Sequence, residues 1–146
     1  MLTTLTGGQI LVPFFGMMLL TLVVWIYMYT KRLTWFIQNP EAGAEIRTPE
    51  QLNSIIPESI NRPSNNLKNL FELPVLFYLL CLYLLLLQQV DEVHIFCAYG
   101  FLVMRALHSI VHCTINHVLI RFSLYLLASA CLWTMVVRAA LHVFGY

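Results

Sequence analysis

The sequence predicts an all-α protein built as an integral membrane bundle of four helices. Of the 146 residues, 60% are hydrophobic and 10% are charged, whereas soluble domains carry about 25% charged residues. The apolar residues collect in four segments, which are separated by one long polar stretch and two short connections. A chain of this length cannot hide so much apolar surface from water, so we expect much of it to face a lipid bilayer.

The net charge is close to zero, with eight basic and seven acidic residues. No cluster of basic residues could neutralise several phosphates, so nucleic acid is excluded as a partner. The four cysteines have none of the close spacings that zinc ribbons and redox motifs require. We expect them to be small buried residues.

The first segment runs from Ile10 to Thr30, and its 21 residues carry no charge. About 20 residues of α-helix cross the roughly 30 Å of bilayer hydrocarbon, so a span of about 10–37 is predicted. The preceding residues 1–9 contain no Lys or Arg and no small-residue cleavage site. We therefore expect a retained anchor rather than a cleaved signal peptide.

The second segment combines an apolar run with a polar root. The apolar residues 73–87 follow the polar residues 65–72, and Pro63 suits the first turn of a helix. A span of about 64–88 is therefore predicted. We expect a kink at Pro74, because proline removes a backbone hydrogen bond from a helix.

The rest of the chain is predicted to form one long loop and two further spans. The stretch from residue 38 to residue 63 holds four of the six prolines, which indicates a solvated loop over about 38–62. Apolar segments over about 93–115 and 118–143 form spans three and four. Their short connections make neighbouring helices antiparallel, and residues 1–146 form a single domain.

Lys and Arg in short loops favour the cytoplasmic side of a membrane. At the end of the bundle away from the long loop, the basic residue is Arg138, and the acidic residues Asp91 and Glu92 are at the same end. Five basic residues flank the long loop: Lys31, Arg32, Arg47, Arg62 and Lys68. The loop is therefore predicted to be cytoplasmic, with both termini on the other side.

Several ionisable residues are predicted to lie at one depth in the membrane. Counted from the outer ends of their spans, Glu72, His108 and Arg121 are each 16 or 17 residues in, or roughly 25 Å at helical rise. Arg105 lies about 20 Å in. A charge within hydrocarbon costs at least a few kcal/mol, so each of these groups needs a partner or a wet cavity.

The polar residues of these helices form stripes at helical spacing. By helix, the members are Arg62, Asn65, Asn69 and Glu72; Arg105, His108 and His112; and Arg121 and Tyr125. Because such stripes would be unpaired in lipid, we expect them to converge on one cavity that opens to the cytoplasm. Glu72 could instead pair with one arginine merely to hold the bundle together. One carboxylate cannot neutralise both Arg105 and Arg121, and the surplus positive charge favours an anionic ligand.

The same residues resemble the motifs of a known family, the membrane-associated proteins in eicosanoid and glutathione metabolism (MAPEG), which includes the microsomal glutathione transferases. The resemblance spans nearly the whole chain, in its four-span layout, its long first loop and its motif positions. The matching motifs are Asn69-Leu-Phe-Glu72, Arg105-Ala-Leu-His108 and Arg121-Phe-Ser-Leu-Tyr125. The chain departs from the family's pattern at Asn65, His112 and Phe122.

The resemblance implies a homotrimer that binds glutathione, as a co-substrate, between neighbouring subunits near the cytoplasmic face. It implies a transferase or peroxidase acting on hydrophobic small molecules, with Arg121 as the catalytic residue that favours the thiolate. A guanidinium is suited to this, because it lowers the energy of a neighbouring thiolate. The chain looks more like bacterial members than like eicosanoid synthases, which implies a bacterial inner membrane. The residues that the resemblance assigns to glutathione binding are Arg62, Asn69, Glu72, Arg105, His108 and Tyr125.

Other functions are compatible with parts of the pattern. A scaffold or regulator of the same fold would keep the trimer without the chemistry, and a small transporter would also place ionisable groups in the membrane. His108 and His112 are spaced to share a metal, but Arg105 one turn away would repel a cation, so no metal site is predicted. A haem would need axial ligands at matching depth, whereas His94 and His142 lie at the other end.

Overall fold

The computed structural model describes residues 8–41 and 46–145, and these residues are helical apart from short connections. In chain order the helices are α1 (Leu11–Gln38), α2 (Pro49–Ile55), α3 (Glu58–Leu70), α4 (Leu73–Leu86), α5 (Glu92–Cys113) and α6 (Val118–Val143). Four stretches are long and apolar enough to cross a membrane: α1, α3 with α4, α5 and α6. The prediction of an all-α, four-span membrane bundle is confirmed.

The second span consists of two helices rather than one kinked helix. Helix α3 begins at Glu58, before the predicted start near Pro63, and the helix breaks at Phe71 and Glu72. Pro74 lies in the first turn of α4, where its missing N–H costs no hydrogen bond. The structure therefore has a helix break just before Pro74 instead of the predicted kink at this residue. This break leaves the carbonyl of Asn69 among the last four of α3, which have no partner within the helix.

The predicted solvated loop also contains a short helix, α2. The side chain of Thr48 accepts a hydrogen bond from the backbone N–H of Gln51 at 3.3 Å, and Pro49 occupies the first turn. Pro49 therefore starts a helix, whereas the prolines of this stretch predicted a loop. Ile56 follows α2 and is buried, which ties this segment to the bundle.

Aromatic and aliphatic side chains from all four spans form the core. Phe77 of α4 stacks on Phe101 of α5 with 4.6 Å between ring centroids, and Met17 of α1 and Leu132 of α6 are fully buried beside this core cluster. Large apolar side chains also cover the outer faces, and Phe96 is 78% exposed. An apolar surface of this extent suits lipid rather than water.

An ion-pair cluster closes the end of the bundle that lies away from the long loop. Asp91 caps α5 by accepting a hydrogen bond from the His94 backbone at 2.9 Å, and it also accepts from Arg138 of α6. The His94 ring lies 2.8 Å from the same carboxylate. Partial burial acts to raise the pKa of Asp91, but the hydrogen bonds from His94 and Arg138 outweigh it and lower this pKa below its usual range. The cluster joins the start of α5 to the end of α6.

Candidate functional site

Four of the residues singled out in the sequence line one cavity near the long-loop end of the bundle. Asn69 comes from α3, His108 from α5, and Arg121 and Tyr125 from the first two turns of α6. The cavity has a volume of about 180 Å³. Its remaining lining residues are Val118 and Phe122, both exposed at the surface of the chain. Polar residues of three helices therefore meet at this cavity, but Asn69 is the one member of the predicted stripe on the second span that lines it.

Arg105 lies directly behind the cavity wall, and its side chain is completely buried. Its guanidinium donates a hydrogen bond to the backbone carbonyl of Asn69, which the break after α3 leaves available. The same guanidinium lies 5.4 Å from the ring centroid of Tyr125. Arg105 therefore contacts two residues of the cavity wall, and its charge lies directly beside the cavity.

His108 is held in one tautomer by a backbone contact. Its ring Nδ1 lies 3.0 Å from the carbonyl oxygen of Arg121. Because a carbonyl can only accept, Nδ1 carries the proton, and in the neutral ring Nε2 is an acceptor. This Nε2 is buried and has no hydrogen-bond partner in the described chain. His108 thus adds an acceptor to a site that is otherwise rich in donors.

The site carries two arginines that form no ion pair within the described part of the chain. No carboxylate among residues 8–41 and 46–145 forms an ion pair with Arg105 or Arg121. Arg121 donates from Nη1 to the side chain of Asn116, but its buried Nε has no partner, and neither do Nε and Nη1 of Arg105. Buried guanidinium groups without partners are costly, so this arrangement suits an anionic ligand.

Three of the predicted site residues are not part of the cavity wall: Arg105, which lies behind it, Glu72 and Arg62. Glu72 is exposed at the break between α3 and α4 and forms no ion pair with the described residues, so it does not hold the bundle together within one chain. Arg62 pairs with Glu58 at 3.3 Å and donates to the carbonyl of Thr114. Arg62 therefore links α3 to the turn between α5 and α6 instead of lining the cavity.

The sequence interpretation missed a buried polar layer next to the site. Asn66 is fully buried, accepts a hydrogen bond from Ser109 at 3.4 Å and directs its amide to the sulfur of Cys113 at 3.6 Å. Asn66 lies four residues after Arg62 and three before Asn69, so helical spacing would have included it in the stripe.

A second missed contact joins α1 to α3. Arg32, interpreted as a topology signal, donates to Asn61 at 3.1 Å and to Ser64 at 2.9 Å. Asn61 precedes the polar stripe and Ser64 lies between its first two members, and neither position carried a signal for this contact.

His112 is buried beside the cavity. Its Nδ1 lies 3.5 Å from the side-chain amide of Asn69, and its ring packs edge-on against His108 with 5.6 Å between centroids. Within the described ranges, no third His, Cys, Asp or Glu joins these two rings in a group that could hold a metal ion. His108 therefore lines the cavity, and His112 packs behind it against two of the lining residues.

Comparison with known proteins agrees with this architecture at the level of the family. No curated protein and no solved structure matches the chain. The sequence model of the MAPEG family matches residues 10–141, which include every residue of the cavity and all of the four spans except the last two residues of α6. The chain therefore belongs to the MAPEG family.

Proposed function

We propose that this protein is a glutathione-dependent transferase or peroxidase that acts on hydrophobic electrophiles from the bilayer. The observation that carries the proposal is the unneutralised charge of Arg105 and Arg121 at one cavity, with buried nitrogen atoms that lack partners. Hydrogen bonds between a guanidinium and a carboxylate are among the strongest in proteins. An anionic peptide would satisfy these donors and neutralise their charge.

The donor and acceptor set fits glutathione, which carries two carboxylates, an ammonium group and a thiol. The unpartnered Nε and Nη1 of Arg105 are buried behind Asn69 and Tyr125, and they can bind a carboxylate once one of these two wall residues moves aside. Asn69 offers an amide to the peptide backbone, and His108 Nε2 offers an acceptor to an N–H group. Glu72, exposed nearby in sequence, has the charge to bind the ammonium group.

The size of the cavity supports a site that two subunits share. Its volume of about 180 Å³ is below the roughly 300–1,000 Å³ of complete small-molecule pockets. Val118 and Phe122 are 66% and 63% exposed, so the cavity opens at the outer surface of the chain. A neighbouring copy in a homotrimer would cover this opening and complete the site.

Arg121 is the residue that we assign to catalysis. A free thiol has a pKa of about 8.5, and the thiolate is the reactive nucleophile. Arg121 holds a fixed positive charge at the cavity wall, in surroundings of low dielectric, and so favours the charged thiolate over the thiol. Phe122, exposed beside it, provides an apolar surface for an electrophile that arrives from the lipid.

We place the cavity end of the bundle at the cytoplasmic face of a bacterial inner membrane, with both termini on the other side. The basic residues around the long loop support this orientation. Cytoplasmic glutathione would then reach the site from water, while the second substrate would reach it from the bilayer.

The test is glutathione binding and turnover by the protein purified in detergent. Calorimetry measures binding, and a chloronitrobenzene and a lipid hydroperoxide serve as second substrates. We expect Arg121→Ala to lower the rate by about 10²–10³, the loss typical for removal of one charge-stabilising donor. Arg138→Ala, at the opposite end, is the matched control and should keep the rate. A wild-type protein that neither binds glutathione nor turns over either substrate would refute the proposal and favour a scaffold.

A further inference from the structure

The side chain of Arg121 is held by a hydrogen bond to a residue outside the cavity wall. Its Nη1 donates to the side-chain oxygen of Asn116, in the turn between α5 and α6. The amide nitrogen of Asn116 donates in turn to Glu58 Oε1 at 2.8 Å. Glu58 is the first residue of α3, so the contacts connect a distant helix to the cavity wall.

The position of Asn116 is determined by its backbone. Its φ is +54°, in the left-handed region that asparagine tolerates better than most other residues. Its backbone N–H donates to the carbonyl of Val111 at 2.8 Å, which closes the C-terminus of α5. Because a carboxylate can only accept, the amide nitrogen must face Glu58, and the amide oxygen then faces Arg121.

Glu58 is fixed in turn by Arg62. The Nε of Arg62 lies 3.3 Å from Glu58 Oε1, and its Nη1 donates to the carbonyl of Thr114 in the same turn. The side chain of Glu58 is 69% exposed, so these contacts begin at the surface of the protein. Arg62, Glu58 and Asn116 thus form a continuous bridge from the surface to Arg121.

We propose that Asn116 is a positioning residue that holds the guanidinium of Arg121 against the sulfur of glutathione, with Glu58 and Arg62 as its support. The proposal rests on the function proposed above. A free arginine side chain populates many rotamers. When the side chain is ordered before the ligand binds, the entropy cost of ordering it no longer adds to the reaction barrier. Asn116 occupies Nη1 of Arg121 and leaves the rest of the guanidinium for the ligand.

The chemical nature of Asn116 matters as much as its position. An amide oxygen orients the guanidinium without neutralising it, so the full charge of Arg121 remains available to a thiolate. A carboxylate in the same place would form an ion pair with Arg121 and compete with the thiolate. It would also face the carboxylate of Glu58, which Asn116 approaches at 2.8 Å.

Two substitutions at this position separate orientation from charge. Asn116→Gly keeps the left-handed turn, because glycine favours that conformation, but it removes both side-chain hydrogen bonds. Asn116→Asp keeps an acceptor for Arg121 and adds a negative charge. Gln88→Gly is the matched control, since Gln88 has a φ of +56° in the turn at the opposite end of the bundle.

The experiment measures the pKa of the bound thiol by ultraviolet absorbance against pH, together with glutathione affinity and kcat. We expect Asn116→Gly to raise the thiol pKa and lower kcat about tenfold, the effect of one charged hydrogen bond, with little change in affinity. Asn116→Asp should lower kcat further, and Gln88→Gly should change none of the three values. Glu58→Gln, which keeps an acceptor for Asn116 but weakens the contact with Arg62, should lower kcat less than Asn116→Gly.

The failures of the two proposals are distinguishable. If Arg121→Ala abolishes the thiolate while Asn116→Gly keeps the wild-type thiol pKa and kcat, the positioning role of Asn116 is refuted and the proposed function stands. If Asn116→Asp is as active as the wild type, the argument about charge is wrong. If the wild-type protein binds no glutathione, both proposals fail.

Discussion

Replacing the buried Arg105 by methionine separates a ligand-binding role from a structural one. Methionine is long, unbranched and close in length to arginine, so Arg105→Met fills the buried space without a charge. The side chain of Arg105 is completely buried, and its Nε and Nη1 have no partner. The substitution therefore removes two unsatisfied groups together with the contacts that Arg105 does make.

The energies of these contacts nearly cancel. Two unsatisfied buried donors cost about 1–3 kcal/mol each. The hydrogen bond from Arg105 to the Asn69 carbonyl contributes about 1.5–3 kcal/mol, and the contact with the Tyr125 ring about 2 kcal/mol. We therefore expect Arg105→Met to change the free energy of unfolding by less than about 2 kcal/mol. The same change should weaken glutathione binding tenfold to about a hundredfold, because a charged hydrogen bond to a carboxylate is lost.

Thermal unfolding in detergent measures the stability, and calorimetry measures the affinity. Arg105→Lys serves as the second variant, because it keeps the charge and loses the planar fork. We expect its affinity to lie between those of the wild type and Arg105→Met. A loss of about 3–5 kcal/mol in stability with unchanged affinity would show that the role of Arg105 is structural, and it would refute the reasoning.

Two further predictions test other parts of the molecule. Exposed Phe122 offers only apolar surface to a ligand. Phe122→Ala is therefore expected to change glutathione affinity by no more than about twofold and to raise the KM for a hydrophobic electrophile about tenfold, which steady-state kinetics measures. The Asp91→Asn variant is expected to lose less stability than the wild type as the pH falls. Hydrogen bonds from His94 and Arg138 outweigh partial burial and lower the pKa of Asp91 in the folded protein. The carboxylate therefore stabilises the fold fully above its ordinary pKa of about 3.9, and this stabilisation is lost as the pH falls through the lower pKa of the folded protein. Thermal unfolding against pH measures this, and an unchanged profile in the variant would contradict it.

Hydropathy predicted the spans because lipid imposes a length on each helix, whatever its neighbours are. The details around proline could not be predicted in the same way. Pro49 starts α2 and Pro74 follows a helix break, and both depend on which backbone N–H groups the fold leaves unused. The break matters for the site, because it leaves the carbonyl of Asn69 available to Arg105.

Helical spacing placed Asn69, His108, Arg121 and Tyr125 on converging faces, and the structure brings them to one cavity. Their roles toward glutathione stay predictions. Spacing could not find the contact between Glu58 and Asn116, which lie 58 residues apart and meet only after the loop has folded. Local patterns carry information about faces of a helix, whereas such contacts depend on how two turns are brought together.

The arginines at the two ends of the bundle differ in whether a carboxylate pairs with them. At one end Arg138 is paired with Asp91, and this pair joins α5 to α6. At the other end Arg105 is completely buried and Arg121 partly buried, and no carboxylate of the described chain forms an ion pair with either. Neutral partners can hold an arginine between helices, as Asn61 and Ser64 hold Arg32, but an unpaired charge that is completely buried costs several kcal/mol. The contrast favours a ligand that brings its own negative charge to the cavity.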